Sequence, residues 1–217
     1  MIGIRTFAAG EPRWRIRLAT AALLLSAALL SACGGDVPRL APLGSNDVIV
    51  AFGDSLTYGT GASAEESYPA VLSDLLGREV IGLGVPGERT DGGLRRLPEV
   101  LDEFRPRLLL LCLGGNDMLR KVDAPTIEAN LREMVQMAKS QGTDVVLISV
   151  PKPALFGGNA EFYRRIAKDF GLPLEDDVLH EVLRDNALKS DPIHPNARGY
   201  RRIAEEIAAL LRETGAW

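Results

Sequence analysis

The sequence predicts an α/β fold: a mainly parallel sheet with helices on both faces. Apolar runs of strand length alternate with stretches of helical periodicity, and that alternation produces parallel sheets. The middle runs are apolar almost without interruption, as strands covered on both faces are. At 217 residues, 46% hydrophobic and 25% charged, the chain suits one soluble globular domain with a sizeable core.

The elements follow in order. "DVIVAF" (47–52) is a short buried strand. Tyr68, Val71, Leu72, Leu75 and Leu76 recur at helical spacing behind Ser67, a good N-cap. "EVIGLGV" (79–85) is the second strand. Leu94, Leu97, Leu101 and Phe104 mark a second helix, and Pro98 inside it predicts a kink or two short helices. "RLLLLCL" (107–113) is the third strand; Cys112 reads there as a small core residue. Ile127, Leu131, Met134, Val135 and Ala138 line a third helix, and "DVVLISV" (144–150) is the fourth strand. Less regular chain follows, with helices over 160–170 and 177–185 and a short strand near Pro173 between them. His180 reads as an ordinary residue of the second of these helices. The last helix starts at Asn196 and buries Tyr200, Ile203, Ile207 and Leu210.

The N-terminus is not part of this pattern. Arg13, Arg15 and Arg17 precede an uncharged run from Leu18 to Ala32 that is shorter than a bilayer needs, so residues 1–32 read as a signal peptide. The run ends in "LLSAC", which resembles the lipobox of bacterial lipoproteins. That likeness implies cleavage before Cys33, a lipid on Cys33 and a membrane attachment; a plain secretory signal or a short anchor is the alternative. Gly34 follows Cys33 where an aspartate is absent, which in a Gram-negative host resembles an outer-membrane address. Residues 33–46 are expected to form a flexible tether, leaving 47–217 as the domain. Without residues 1–32 the chain loses four arginines and one glutamate, and its formal charge moves from −4 to −7. An acidic domain argues against nucleic acid as a partner.

In parallel sheets, ligands bind beyond the carboxyl ends of the strands. "FGDSLTYG" follows the first strand, "GVPGERT" the second and "LGGNDM" the third, while "KSDPIHPNARGY" precedes the last helix. Pro192 and Pro195 bracket His194 in a turn that no helix can cross, with Asp191 three residues before it. Ser55 is a weak nucleophile alone; His194, oriented by Asp191, can serve as its base. Acyl transfer passes through an oxyanion that needs fixed donors: the Asn116 amide, the Gly87 N–H and the Ser55 N–H at the start of a helical turn. Each signal alone is weak, since Gly-Asp-Ser and Gly-Gly-Asn-Asp are ordinary turn sequences. Their order and placement together are specific.

"GDSL" (53–56), Gly87, "GGND" (114–117) and "DPIHP" (191–195) resemble the four signature blocks of the SGNH hydrolases, or GDSL esterases and lipases. "RLPEVL" and "IHPN" are similar to the arylesterase and multifunctional thioesterase/lysophospholipase branch. The resemblance spans Asp47 to the C-terminus. It implies a flavodoxin-like three-layer α/β/α sandwich with no cofactor and no metal. It also implies a small ester or lipid substrate, Ser55 as nucleophile, Asp191 and His194 as the rest of a triad, and Gly87 and Asn116 as oxyanion donors. The second block departs from the family pattern, with Gly82, Pro86 and Arg89 where Asn, Ser and Thr are usual. Arg89 reads either as a selector of anionic substrates or as a solvated surface residue.

Other hydrolytic architectures fit less well. Gly-x-Ser-x-Gly and the phosphate-binding Gly-Lys-Ser/Thr loop are both absent, and two histidines give little material for a metal cluster. The competing reading from another class is a non-catalytic envelope lipoprotein that binds lipid or glycan on the same fold. The segment "PKPALFGGNAEFY" (151–163) reads either as an acyl groove or as loop packing.

Overall fold

The computed structural model describes residues 37–153 and 159–217; the signal peptide expected over 1–32 and Cys33 lie outside them. Five parallel strands form one sheet: β1 Ile49–Gly53, β2 Val80–Gly84, β3 Leu108–Cys112, β4 Asp144–Ile148 and β5 Leu174–Glu175. Their spatial order is β2-β1-β3-β4-β5. β1 and β3 are buried at every position, which explains their unbroken apolar sequence, whereas edge strand β2 is partly exposed. The order turns back between β1 and β3, so the crevice at their carboxyl ends is where a ligand is expected.

The helices are α1 Ser55–Tyr58, α2 Tyr68–Leu76, α3 Thr90–Phe104, α4 Gly115–Leu119, α5 Ala124–Ser140, α6 Glu161–Phe170, α7 Val178–Arg184 and α8 Ala197–Thr214. α2 and α7 pack on α8, and α5 packs on both α3 and α6, giving the two helical layers of an α/β/α sandwich. The helices form where the 3.6-residue periodicity predicts them and bury the apolar faces it predicts, except that Leu75 of α2 is exposed.

Two expectations need correction. α3 is one continuous helix through Pro98 and not two short ones. Pro98 stands on the solvent side, where water can reach the Leu94 carbonyl left without its usual partner, while Leu97, Val100 and Leu101 bury the opposite face. The described part of the supposed tether, 37–46, is also docked. The N–H groups of Leu40 and Leu43 donate to the carbonyls of Thr214 and Ala216 (3.1 and 2.9 Å), and Arg78 donates to the Gly44 carbonyl (2.7 Å). Val37, Leu40 and Leu43 pack against the core, so the compact unit starts at Val37 and not at 47. Composition alone suggests a tether; the three apolar side chains supply the burial that orders the segment.

Candidate active site

Ser55 opens α1 directly after β1. The Asp54 side chain caps that turn by accepting the Leu56 N–H at 3.0 Å. The turn is held from two further sides. The hydroxyls of Thr57 and Tyr68 lie 3.1 Å apart, and Tyr200 in α8 donates its hydroxyl to the Thr60 carbonyl at 2.8 Å.

The loop before α8 is organised around Asp191. One carboxylate oxygen accepts the N–H groups of Ile193 and His194 (2.8 and 2.9 Å); the other lies 2.7 Å from His194 Nδ1. An antiparallel bridge between Lys189 and Pro195 closes the loop, and the Ser190 N–H donates to the His194 carbonyl at 2.9 Å. Asn196 caps α8 and also donates to the carbonyls of Ala187 and Lys189. The two prolines therefore act together with a full set of hydrogen bonds. Partial burial works to raise the Asp191 carboxyl, but the bonds from His194 and the two N–H groups outweigh it and leave it below the usual carboxylate range.

His194 Nε2 lies 3.0 Å from Ser55 Oγ, bridging 139 residues of sequence. The ionised Asp191 can only accept, so Nδ1 carries the proton and the bare Nε2 accepts the Ser55 hydroxyl. That arrangement can take a proton from Ser55 as its oxygen attacks an electrophile.

The sequence-predicted oxyanion donors converge on the same crevice, which Ser55, Gly87 and Asn116 all line. Among the described residues no acceptor takes the N–H of Ser55 or of Gly87. Gly87 sits at φ +79° with open space where a Cβ would stand, so backbone conformation, more than close approach, calls for glycine there. Asn116 is engaged twice: its Nδ2 donates to Asp54 Oδ2 and to the Glu88 carbonyl, both at 3.0 Å. Both partners are acceptors, which fixes which end of the amide is nitrogen.

Sequence reasoning missed the residues that hold these donors. Asp54 is fully buried; desolvation drives its carboxyl up to about 6, against the hydrogen bonds from Leu56 and Asn116. Asp117, also buried, accepts the Thr90 N–H and hydroxyl (2.9 and 2.7 Å), joining α4 to the start of α3. Glu88 pairs with Arg96 at 2.6 Å, and Arg96 lies 4.0 Å over the Phe52 ring and donates to the Leu83 carbonyl. These contacts pin the Gly87 loop from both sides. Asp54 and Asp117 belong to the "GDSL" and "GGND" blocks, but only burial shows that they face inward.

The crevice opens into a cavity of about 940 Å³. Leu119, Val150, Pro151, Leu183 and Ile193 give it apolar walls. Of the described residues of the 151–163 segment, Pro151, Lys152 and Pro153 line the cavity, whereas Phe162 and Tyr163 belong to the core. His180 lies in α7, as expected, and also lines the cavity. Arg89 does not line it; it pairs with Asp91 at 3.1 Å, as a solvated surface residue would. Cys112 is buried in β3, where desolvation pushes its thiol well up.

A parallel α/β/α sandwich with a serine, an imidazole and a carboxylate at its switch point defines a class of serine hydrolase folds, and the comparisons give the family. The model of the GDSL-like lipase/acylhydrolase family matches residues 51–202, so the chain belongs to that family. It is 33% identical over 174 residues to thioesterase 1/protease 1/lysophospholipase L1 of Escherichia coli K12, covering 76% of this chain and 84% of the relative. It is 31% identical over 178 residues to an arylesterase of Vibrio mimicus, covering 77% and 89%. The crystal structure of TesA superposes with a TM-score of 0.71 at 26% identity, over 77% of this chain and 99% of that one. The protein is thus an SGNH-type hydrolase acting on ester bonds.

Proposed function

We propose that the protein hydrolyses carboxylic esters and thioesters, such as short-chain or aryl esters, acyl thioesters or lysophospholipids, through an acyl-enzyme on Ser55. The observation that carries this is the chain Ser55 Oγ, His194 Nε2/Nδ1, Asp191 Oδ2, with links of 3.0 and 2.7 Å. Ser55 Oγ attacks the carbonyl carbon while its proton passes to His194. The carbonyl oxygen becomes an oxyanion and takes the N–H groups of Ser55 and Gly87. Asn116 Nδ2 is the third donor, sharing the N–H it directs at the Glu88 carbonyl. The imidazolium then protonates the leaving oxygen or sulfur, the acyl group stays on Ser55, and a water activated by the same imidazole releases it. An alkyl phosphonate tests the nucleophile: it should add one phosphonyl group, on Ser55, and abolish esterase activity. An unlabelled Ser55 in folded protein would favour the non-catalytic, lipid- or glycan-binding reading.

We further propose that the mature chain is attached to a bacterial envelope membrane by a lipid on Cys33, supported by Leu30-Ser31-Ala32-Cys33. The chain enters the domain beside Thr214 and Ala216, at the end of α8 remote from His194. Mass spectrometry of the N-terminal peptide should show cleavage before Cys33 and an added diacylglyceryl group; an unmodified Cys33 or cleavage elsewhere overturns the assignment.

A further inference from the structure

The direction of the Gly87 N–H is a choice between two turn geometries. Val85, Pro86, Gly87 and Glu88 form a tight turn, closed by the Glu88 N–H donating to the Val85 carbonyl at 3.0 Å. Proline holds φ of the second residue at about −65°, and Gly87 stands at φ +79°. Those two values define a type II turn. A type I turn closes with the same hydrogen bond. The two types differ in ψ of the second residue, about +120° against about −30°, and in φ of the third, about +80° against about −90°. Both angles flank the Pro86–Gly87 peptide. Exchanging one type for the other therefore rolls that peptide roughly half a turn and points the Gly87 N–H the opposite way. Proline suits the second position of both types, so Pro86 narrows the choice without making it.

The last residue of the turn is tied down. The Glu88 side chain, only 9% exposed, takes two bonds from Arg96: Nη2 to Oε2 at 2.6 Å and Nε to Oε1 at 3.1 Å. Arg96 is itself held on two sides. Its guanidinium lies 4.0 Å over the buried Phe52 ring of β1, and it donates to the Leu83 carbonyl of β2 at 3.1 Å. The clamp thus runs from two strands to the end of the turn. The Glu88 carbonyl also accepts Asn116 Nδ2 at 3.0 Å, so the backbone of one residue adjoins two oxyanion donors. Arg96 does not line the cavity. We propose that Arg96 is a positioning residue for the oxyanion hole: through Glu88 it holds the turn as type II, with the Gly87 N–H facing the crevice beside Asn116. This rests on the hydrolytic reading of Ser55 and adds how its donors are aimed. Without the guanidinium, the Glu88 carboxylate is left nearly buried and without a cation, and it relaxes by moving towards water with the turn attached. Lysine at position 96 keeps the charge but loses the two-pronged bond to Glu88.

The test measures kcat on p-nitrophenyl butyrate per active site in the mature protein, with sites counted by titrating Ser55 to completion with an alkyl phosphonate. Counting sites removes any loss caused by misfolded protein. Arg96→Gln should lower this kcat about 10–10²-fold and change KM by less than about threefold. n-Butylboronic acid becomes a tetrahedral anion on Ser55, so its affinity should fall by about the same factor as kcat/KM. Arg96→Lys should recover part of the loss. Gly87→Ala is the second probe. A Cβ there meets nothing within 4 Å, so alanine acts only by disfavouring positive φ. It should give the same loss in kcat at nearly constant KM, and the Arg96→Gln/Gly87→Ala double variant should be little worse than the weaker single, because both act on one peptide. A wild-type kcat per titrated site in Arg96→Gln overturns the proposal. A loss carried by KM, an unchanged boronate affinity or additive losses in the double variant overturn it too. Should Arg96→Gln not fold, Arg96→Lys decides by the same readings: a smaller kcat loss at constant KM supports the proposal and a wild-type kcat overturns it. A wild-type protein that takes no phosphonate and turns over no ester defeats the hydrolytic reading itself, a distinct result.

Discussion

Asp54 Oδ2 lies 3.0 Å from Asn116 Nδ2, so a fully buried carboxylate holds the amide that faces the crevice. The same Asp54 caps the turn that presents Ser55, through the Leu56 N–H. One side chain thus sets the positions of two groups that stand beyond different strands, β1 and β3. Replacing it by asparagine keeps the shape but puts an NH₂ where Asn116 needs an acceptor. Asp54→Asn should therefore lower kcat about 10–10²-fold, approaching the cost of one lost oxyanion donor, with little change in KM. Steady-state kinetics on p-nitrophenyl butyrate decide it; a loss confined to KM would mean Asp54 acts on substrate binding instead.

The raised Asp54 carboxyl also has a consequence for stability. Its ordinary value is 3.8 and burial lifts it to about 6 in the folded chain. Between those values the folded state binds more protons than the unfolded state, so the unfolding free energy falls as pH rises through that window. The contribution is on the order of 3 kcal/mol across the window. Denaturant unfolding at pH 4, 5, 6 and 7 should show this decline in the wild type relative to Asp54→Asn, which cannot titrate there. Parallel curves for the two proteins would show that Asp54 keeps an ordinary carboxyl.

Asp117 tests the support of the Gly87 loop from the other side. Its two oxygens accept the Thr90 N–H and hydroxyl, and Asn130 in turn donates to that hydroxyl at 3.0 Å. Asp117→Ala leaves a buried N–H and hydroxyl without their acceptor, at a cost of about 3 kcal/mol. The melting temperature should fall by several degrees or more. kcat should fall as well, because α3 begins where the loop ends. Thr90→Ser, which keeps both donors, should retain most of the activity; a loss as large as that of Asp117→Ala would mean that the Thr90 methyl, and not the bonding, matters.

Much of this is legible in the sequence because period and position are local properties. Strands β1, β3 and β4 announce themselves as unbroken apolar runs, and α5 and α8 by their 3.6-residue stripe. Ser55, Gly87 and Asn116 stand just beyond the ends of β1, β2 and β3, where a parallel sheet binds its ligand, and Asp191 and His194 share one proline-bracketed turn. The features that stay hidden depend on contacts across long sequence separations. The docking of 37–46 needs the C-terminal ends of α8 and α2 in place. The continuity of α3 through Pro98 depends on which face the rest of the fold leaves open. The cavity role of His180 depends on α7 being folded over the crevice, and no local pattern around "VLHEVLRD" encodes that.

The last prediction concerns the pairing of His194 with Ser55. Both members of the Asp191–His194 pair come from one short turn, so their mutual geometry is set locally by the Asp191 bonds to the N–H groups of Ile193 and His194. The fold has only to bring that turn to the end of β1, and it does so to 3.0 Å. If the two side chains act as one unit, Ser55→Ala and His194→Ala should each lower kcat by several orders of magnitude, and the double variant should be little worse than either. Asp191→Asn should cost less than His194→Ala, because it spoils the orientation and tautomer of the imidazole without removing it. His180→Ala should retain most of the turnover number on an uncharged ester, since its imidazole lines the cavity outside the Ser55–His194–Asp191 chain. The kinetics of these variants on p-nitrophenyl butyrate, with circular dichroism to confirm folding, measure all four. A folded His194→Ala that keeps its rate while His180→Ala loses it would make His180 the base. Additive losses in the Ser55/His194 double variant would show that the two residues act independently.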